Sequence, residues 1–217
     1  MNTEKDELLE LWKSYDDRLE RSLRLNEQVL EKLETLRVTT SFDRVVRLKT
    51  GAVVFGMFWN AFLVFLIYHT WREPFFTISA GLSFMINIYA MIEYVRQITM
   101  IRSLDFSAPV TETQALLNKL LISVIQVMRV IPLSLPLYTT FYIKLYMIGN
   151  AGTAYWIIQT LVTAGAVALS AWLYKYISIE NRNSRIVNVL IRDDGGRSIA
   201  KAEQFLEEIT AFRKEEK

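Results

Sequence analysis

The chain has 217 residues, of which 52% are hydrophobic and 22% charged, and its formal net charge is only +2. So small a net charge does not favour nucleic acid as a partner, and the absence of cysteine excludes disulfides and thiolate chemistry. The charges are crowded into residues 1–49, 95–119 and 175–217. Because the stretches between them are almost free of charge, the composition predicts a membrane protein.

Residues 7–37 contain no proline or glycine, and their apolar residues recur at alternating spacings of four and three. This pattern predicts a long amphipathic helix with a heptad repeat, in which Asn26 occupies an a position and helps to set register and strand number. Leucines also fill e and g positions, so the apolar face is wider than a two-stranded coiled coil requires. Three alternatives are open: packing with other cytoplasmic helices, a self-associating coiled coil, or a helix at the lipid interface. The residues predicted to bind a partner are Trp12, Leu19, Leu23, Asn26, Leu30 and Leu33.

A polar segment follows, in which Thr40 or Ser41 is suited to cap a new helix. It also holds a basic cluster just before the first apolar stretch, formed by Arg37, Arg44, Arg47 and Lys49. Because basic residues concentrate on the cytoplasmic side of a membrane, we expect residues 1–49 to be cytoplasmic.

Four apolar stretches follow, and a helix of about 18 residues covers roughly 27 Å of hydrocarbon. The fold class predicted is an all-α integral membrane protein, with long amphipathic cytoplasmic helices at both ends. Residues 50–176 are expected to form the transmembrane domain and residues 177–217 a cytoplasmic helical tail. The expected spans are about 51–70, 74–94, 120–143 and 154–175.

The third span is ambiguous because it contains Arg129. In one interpretation a single helix runs over residues 112–147 and Arg129 lies inside the hydrocarbon. In the other, residues 116–128 lie at the inner surface, the crossing begins after Arg129, and the arginine anchors the interface. Pro132 and Pro136 predict a hinge in either case, since each removes a helical hydrogen bond.

Other polar residues also lie within the expected spans. Asn60 and Asn87, near the middle of the first and second spans, are suited to hydrogen bonds between helices. Glu93 closes the second span, and antiparallel packing would bring it near Arg129. Such a pair is either structural or part of a polar pathway.

The tail carries a second amphipathic pattern. Asp193-Asp194-Gly195-Gly196 is expected to be a hydrated turn, and the helix after it needs a packing partner, for which the N-terminal helix is the nearest candidate. Its apolar positions are Ile199, Ala202, Phe205, Leu206, Ile209 and Phe212.

Residues suited to catalysis are not clustered in any motif. The single histidine, His69, has only Glu73 nearby, and neither a nucleophile elbow nor an HExxH motif is present. We therefore expect no enzymatic activity, no catalytic residue, no metal and no cofactor.

The opening pattern is Leu11-Trp12, Tyr15-Asp16, Leu19-Glu20, Leu23 and Leu25-Asn26, followed by a basic patch and four spans. It resembles a group of uncharacterised bacterial four-span inner-membrane proteins, some of which accompany alternative sigma factors. The resemblance implies the bacterial inner membrane as location and a role as a membrane-tethered regulator.

The sequence thus favours a non-enzymatic membrane scaffold or signalling regulator with both termini in the cytoplasm. Its expected partners are the lipid bilayer, further copies of itself, and a cytoplasmic or membrane protein. The alternative is a small oligomeric channel or transporter subunit with a pathway near Arg129.

Overall fold

The computed structural model describes residues 3–106, 108–181 and 184–215. The side chains left out of that description within its helices are those of residues 3–11, 13, 14, 17, 23, 27, 28, 30, 31, 34, 185, 188, 192, 193 and 208–215. Every regular element in the described part of the chain is helical. The prediction of an all-α protein is therefore confirmed.

The elements in chain order are α1 (Thr3–His69), α2 (Pro74–Arg102), α3 (Val110–Val130), a 3-10 turn (Ile131–Ser134), α4 (Leu135–Thr140), α5 (Met147–Asn150), α6 (Thr153–Tyr176), α7 (Arg185–Ile191), a π-helical joint (Arg192–Gly196) and α8 (Arg197–Glu215). Four segments are long and apolar enough to cross a membrane, as predicted. They are Thr35–His69, Pro74–Arg102, Val110–Thr140 and Thr153–Tyr176.

The chain divides into two compact units, residues 1–41 and residues 42–217. The new helix expected at Thr40 or Ser41 is not formed, because α1 continues through both residues. The hydroxyl of Thr40 donates instead to the backbone carbonyl of Leu36 at 2.7 Å, one turn back in the same helix. A threonine that bonds in this way is accommodated inside a helix and does not cap one.

Within the second unit, α1 buries one stripe of side chains. Its members are Phe42, Val45, Lys49, Val53, Asn60 and Leu63. A Cβ atom added to Gly56, on the same helix, would lie 3.0 Å from the sulfur of Met91. The absence of a side chain at Gly56 therefore lets α2 approach α1 closely.

Helix α3 is the most buried of the candidate spans and packs against both α2 and α8. Leu117, Leu120 and Val124 of α3 are fully buried, and so are Ile199 and Ala202 of α8. The apolar face of the C-terminal helix thus has α3 as its packing partner. The side chains of Ile209 and Phe212, predicted for the same face, lie outside the described residues. That this face also packs on the N-terminal helix stays a prediction.

The single helix considered for residues 112–147 is interrupted where the prolines lie. Helix α3 ends at Val130, and the chain continues as a 3-10 turn before α4. Pro136 has no N–H to donate to the carbonyl of Pro132 one turn earlier. That carbonyl accepts hydrogen bonds from the N–H of Leu135 and from the hydroxyl of Ser170 on α6. The helix bundle therefore compensates for the interruption.

Candidate functional site

The N-terminal unit exposes the apolar face that the sequence selects for partner binding. Trp12, Leu19 and Leu33 are 73%, 60% and 56% exposed, and Asn26 between them is exposed as well. The side chains of Leu23 and Leu30 lie outside the described residues. Burying one such large apolar side chain contributes about 1.5–3 kcal/mol. The described members alone therefore offer several kcal/mol to a partner.

The opposite face of the same helical segment is charged and solvated. The side chain of Arg24 forms an ion pair with Glu20 one turn earlier, at 2.5 Å, and both side chains are exposed. Pairs with this spacing stabilise a helix by about 0.3–0.5 kcal/mol. The segment therefore has one face suited to water and one suited to an apolar partner.

The second unit contains a buried ion pair between α1 and the π-helical joint. The ammonium group of Lys49 donates a hydrogen bond to Asp194 at 2.7 Å, although Lys49 is only 2% exposed. The same ammonium lies 4.6 Å from the centre of the Tyr94 ring on α2. Lys49 thus ties three elements together through one charge.

The environment of Asp194 opposes its ionisation. Burial raises the pKa of the Asp194 carboxyl above its usual range, and the attraction and hydrogen bond of Lys49 only partly offset that rise. The second carboxylate oxygen is buried and accepts no hydrogen bond from the described residues. The turn at Asp193-Asp194-Gly195-Gly196, expected to be hydrated, is therefore a packed joint at Asp194.

A second polar cluster lies between α2 and α3. Ser123 donates to the Glu93 carboxylate at 2.8 Å and accepts from the amide of Gln97 at 2.9 Å. Arg96 lies 3.5 Å from the other Glu93 oxygen. Gln97 is fully buried, and its carbonyl oxygen has no partner among the described residues. The cluster fixes the packing of α2 on α3 through a line of hydrogen bonds.

Arg129 does not pair with Glu93. Its guanidinium donates through Nε to the backbone carbonyl of Tyr174 at 2.7 Å and stacks 4.1 Å from the centre of that ring. Tyr174 lies in the last turn of α6, where backbone carbonyls have no helical partner. Arg129 therefore satisfies the carboxyl end of α6 and complements its dipole.

The two asparagines expected to join helices have different roles. The amide of Asn60 donates to the sulfur of Met91 on α2 at 3.2 Å, which is a contact between helices. The amide of Asn87 donates to the carbonyl of Ser83, one turn earlier in its own helix, at 2.9 Å. Only Asn60 thus forms the predicted contact between spans.

Groups able to perform metal chemistry are not assembled in the described part of the chain, where no three His, Asp or Glu side chains lie close enough to hold an ion. The ring of His69 donates to the carbonyl of Phe65 at 2.9 Å in its own helix. The sequence indicated Glu93 and Arg129, but it placed Lys49 in a basic cluster and Asp194 in a hydrated turn without pairing them, and it did not single out Gln97 or Ser123. The signal for a buried Lys49 is its spacing, which places it on the same helix face as the apolar residues Val45 and Val53.

Comparison of the chain with protein families, with curated proteins and with solved structures finds no match in any of the three. The resemblance to four-span inner-membrane proteins therefore stays a prediction.

Proposed function

We propose that the protein is a membrane-anchored scaffold or signalling regulator that has no enzymatic activity. Residues 1–41 bind another protein chain, and the four spans hold that contact at the membrane. The exposed apolar face at Trp12, Leu19 and Leu33 carries this proposal. It lies in a helical segment outside the candidate spans at one end of the chain, where apolar area gains most from a protein partner.

The proposed location is a bacterial inner membrane with both termini in the cytoplasm. Lys49 precedes the first long uncharged stretch, Arg96 follows the second, and Lys175 follows the fourth, as the positive-inside rule requires for one cytoplasmic side. The contact between Arg129 and the end of α6 supports the interpretation in which the third crossing begins after Arg129. The part of α3 before it then belongs, with α8, to the cytoplasmic side.

Replacing Leu19 and Leu33 by Asp tests the function. Each carboxylate buried without a partner costs about 1–3 kcal/mol or more, so the pair of changes weakens association by on the order of 100-fold or more. Native mass spectrometry of the protein, extracted gently from its membrane, measures the bound chains. Unchanged association of the double variant contradicts the proposal.

The matched control changes the charged face by the same net charge. Arg21→Gln with Arg24→Gln lowers the net charge by two, as the aspartates do, but both arginines lie on the exposed polar side. Association should be retained in this control. Circular dichroism of both double variants checks that the helices are intact.

A further inference from the structure

We infer that the partner of the N-terminal helix is a second copy of this chain, aligned parallel and in register. This inference rests on the proposed function and names the partner of the same surface. Three observations carry it: the spacing of the exposed residues, the position of Asn26, and the attachment of the helix to the spans.

The spacing is that of a seam between like helices. Trp12, Leu19, Asn26 and Leu33 recur every seven residues, and all four are exposed. Val29 lies three residues after Asn26 and is exposed as well. A repeat of seven keeps one face turned toward a helix of the same pitch over several turns. A partner without a helix of that pitch would not match the repeat.

Asn26 is the polar residue of this seam. An asparagine at an a position pairs with its own counterpart in a parallel, in-register assembly and is left unpaired in a shifted one. Because an unpaired buried amide costs about 1–3 kcal/mol, the pairing selects one register. Asn26 can therefore form a hydrogen bond with the same residue of a second copy, whereas an unrelated apolar surface offers its amide no partner.

The attachment to the membrane selects the parallel direction. In every copy, the residues that carry the exposed face, 12–33, precede the first candidate span, which begins at Thr35. Copies inserted in the same orientation therefore expose this segment on the same side, with its carboxyl end nearest the bilayer. Confinement to one membrane also raises the effective concentration of the copies for each other.

Anionic lipid is the competing occupant of an apolar helical face, and charge opposes it. Asp16 lies at the edge of the face, next to Tyr15, and is exposed. Anionic head groups repel acidic residues, whereas a second copy of the helix carries exposed basic residues, among them Arg18 and Arg21, as well as acidic ones.

Single cysteines test the pairing directly, because the chain has none of its own. A disulfide in a single-cysteine variant therefore joins two copies at the same residue number. Bond formation requires Cα atoms about 4.4–6.8 Å apart, which a parallel seam provides and its outer face does not. The variants are Leu19→Cys, Asn26→Cys and Leu33→Cys on the seam, with Arg24→Cys on the opposite face as control.

The variants are oxidised in native membranes and again as purified protein in liposomes at low density. We expect at least about fivefold more cross-linked dimer at the three seam positions than at Arg24, a ratio that corresponds to about 1 kcal/mol. Equal yields at all four positions, or no dimer, overturn the inference. Asn26→Leu provides a second measurement, since removing the buried amide should strengthen association and loosen the choice of oligomer number.

The outcome separates this inference from the proposed function. If no variant cross-links but native mass spectrometry shows a different protein that is lost in the Leu19→Asp, Leu33→Asp variant, self-association is overturned and the scaffold stands. If neither a second copy nor another protein binds this face, both are overturned.

Discussion

Lys49 and Asp194 show how a buried charge acts at the scale of single residues. Removing both charges from water costs more than an exposed pair, and burial dominates over the attraction in setting the pKa of Asp194. The pair is therefore a weak source of net stability. The pair instead fixes the position of α1 relative to the π-helical joint, because a shift of either element would leave a buried ion without its partner.

Single replacements at this pair should be strongly destabilising. Lys49→Met or Asp194→Asn leaves one buried group unpaired, and such breaks cost about 3–5 kcal/mol. Lys49→Met combined with Asp194→Leu removes both charges and should recover most of the loss. Thermal melting in detergent micelles, followed by circular dichroism, measures all three variants. Equal destabilisation by the double variant and by the singles contradicts this account.

The pH dependence of Lys49→Met provides a check with a defined sign. Burial raises the folded-state pKa of Asp194 above its unfolded value, and Lys49→Met removes the attraction and hydrogen bond that oppose this rise, so the variant's fold favours the protonated carboxyl more than the wild type does. The stability contributed by that preference is present below the unfolded pKa and is lost as pH rises through the folded pKa. The melting deficit of Lys49→Met should therefore shrink between about pH 7 and about pH 4.

Two controls accompany this measurement. Asp194→Asn also breaks the pair, but it leaves no carboxyl at position 194. Its melting deficit should therefore not shrink through protonation of that residue when the pH is lowered. Lys119→Met changes an exposed lysine and should alter the melting temperature little at either pH.

At the scale of elements, one local signal misplaces a helix boundary and another places one correctly. Thr40 is suited to capping but lies inside α1, because its hydroxyl bonds one turn back. Pro132 and Pro136 interrupt the helix after Val130, and the hydroxyl of Ser170 supports the carbonyl released there. A threonine can either cap a helix or bond back inside one, so the neighbouring residues decide which occurs. A proline has no backbone N–H, so it removes a hydrogen-bond donor wherever it lies.

The joint between α7 and α8 depends on its two glycines. Gly195 has φ 123°, a conformation that L residues rarely adopt. A Cβ atom on Gly196 would lie 2.8 Å from a side-chain carbon of Ile191 and 2.9 Å from its carbonyl oxygen. Gly196→Ala should therefore displace α8 from α3 at a cost of about 1–3 kcal/mol. Hydrogen exchange over residues 197–207 measures the displacement as faster exchange.

Gly165→Ala is the matched control for that substitution. Nothing lies within 4 Å of a Cβ atom at Gly165, and alanine is favoured over glycine inside a helix by about 1 kcal/mol. This variant should leave exchange in α8 unchanged. Slow exchange in α8 of Gly196→Ala would show that the joint tolerates a side chain.

At the scale of the whole molecule, basic residues gather at one end of the spans. Arg129 stacks on Tyr174, next to Lys175 on α6, and Lys49 lies over Tyr94 on α2. Ser123, which bonds Glu93, precedes Arg129 by six residues, about 9 Å along a helix. The charged contacts of four candidate spans therefore fall within about two helical turns, which supports a cytoplasmic assignment for this end.

Labelling from outside intact cells tests the proposed orientation. Arg24→Cys should react with a membrane-impermeant maleimide only after permeabilisation, because we place residue 24 in the cytoplasm. Gly149→Cys, an exposed position between α4 and α6, should react without it. Labelling of Arg24→Cys in intact cells contradicts the proposed topology.

The sequence by itself determined the membrane class, the four candidate spans and the exposed face of the N-terminal helix. These properties depend on runs of about 20 residues, in which charge and hydropathy are local quantities. The positions of Trp12, Leu19 and Leu33 follow from a helical period in the same way. No contact with the rest of the chain is needed to recognise them.

The tertiary structure alone decided which polar groups meet. Lys49 and Asp194 are 145 residues apart, Glu93 and Ser123 are 30 apart, and Arg129 and Tyr174 are 45 apart. Such pairs depend on which helices become neighbours, and several polar residues on each helix were compatible with several partners. Arg129 contacts Tyr174, where its guanidinium satisfies a carbonyl at the end of α6. Helix α8 packs on α3, where its apolar face is buried, and the two contacts are compatible with each other.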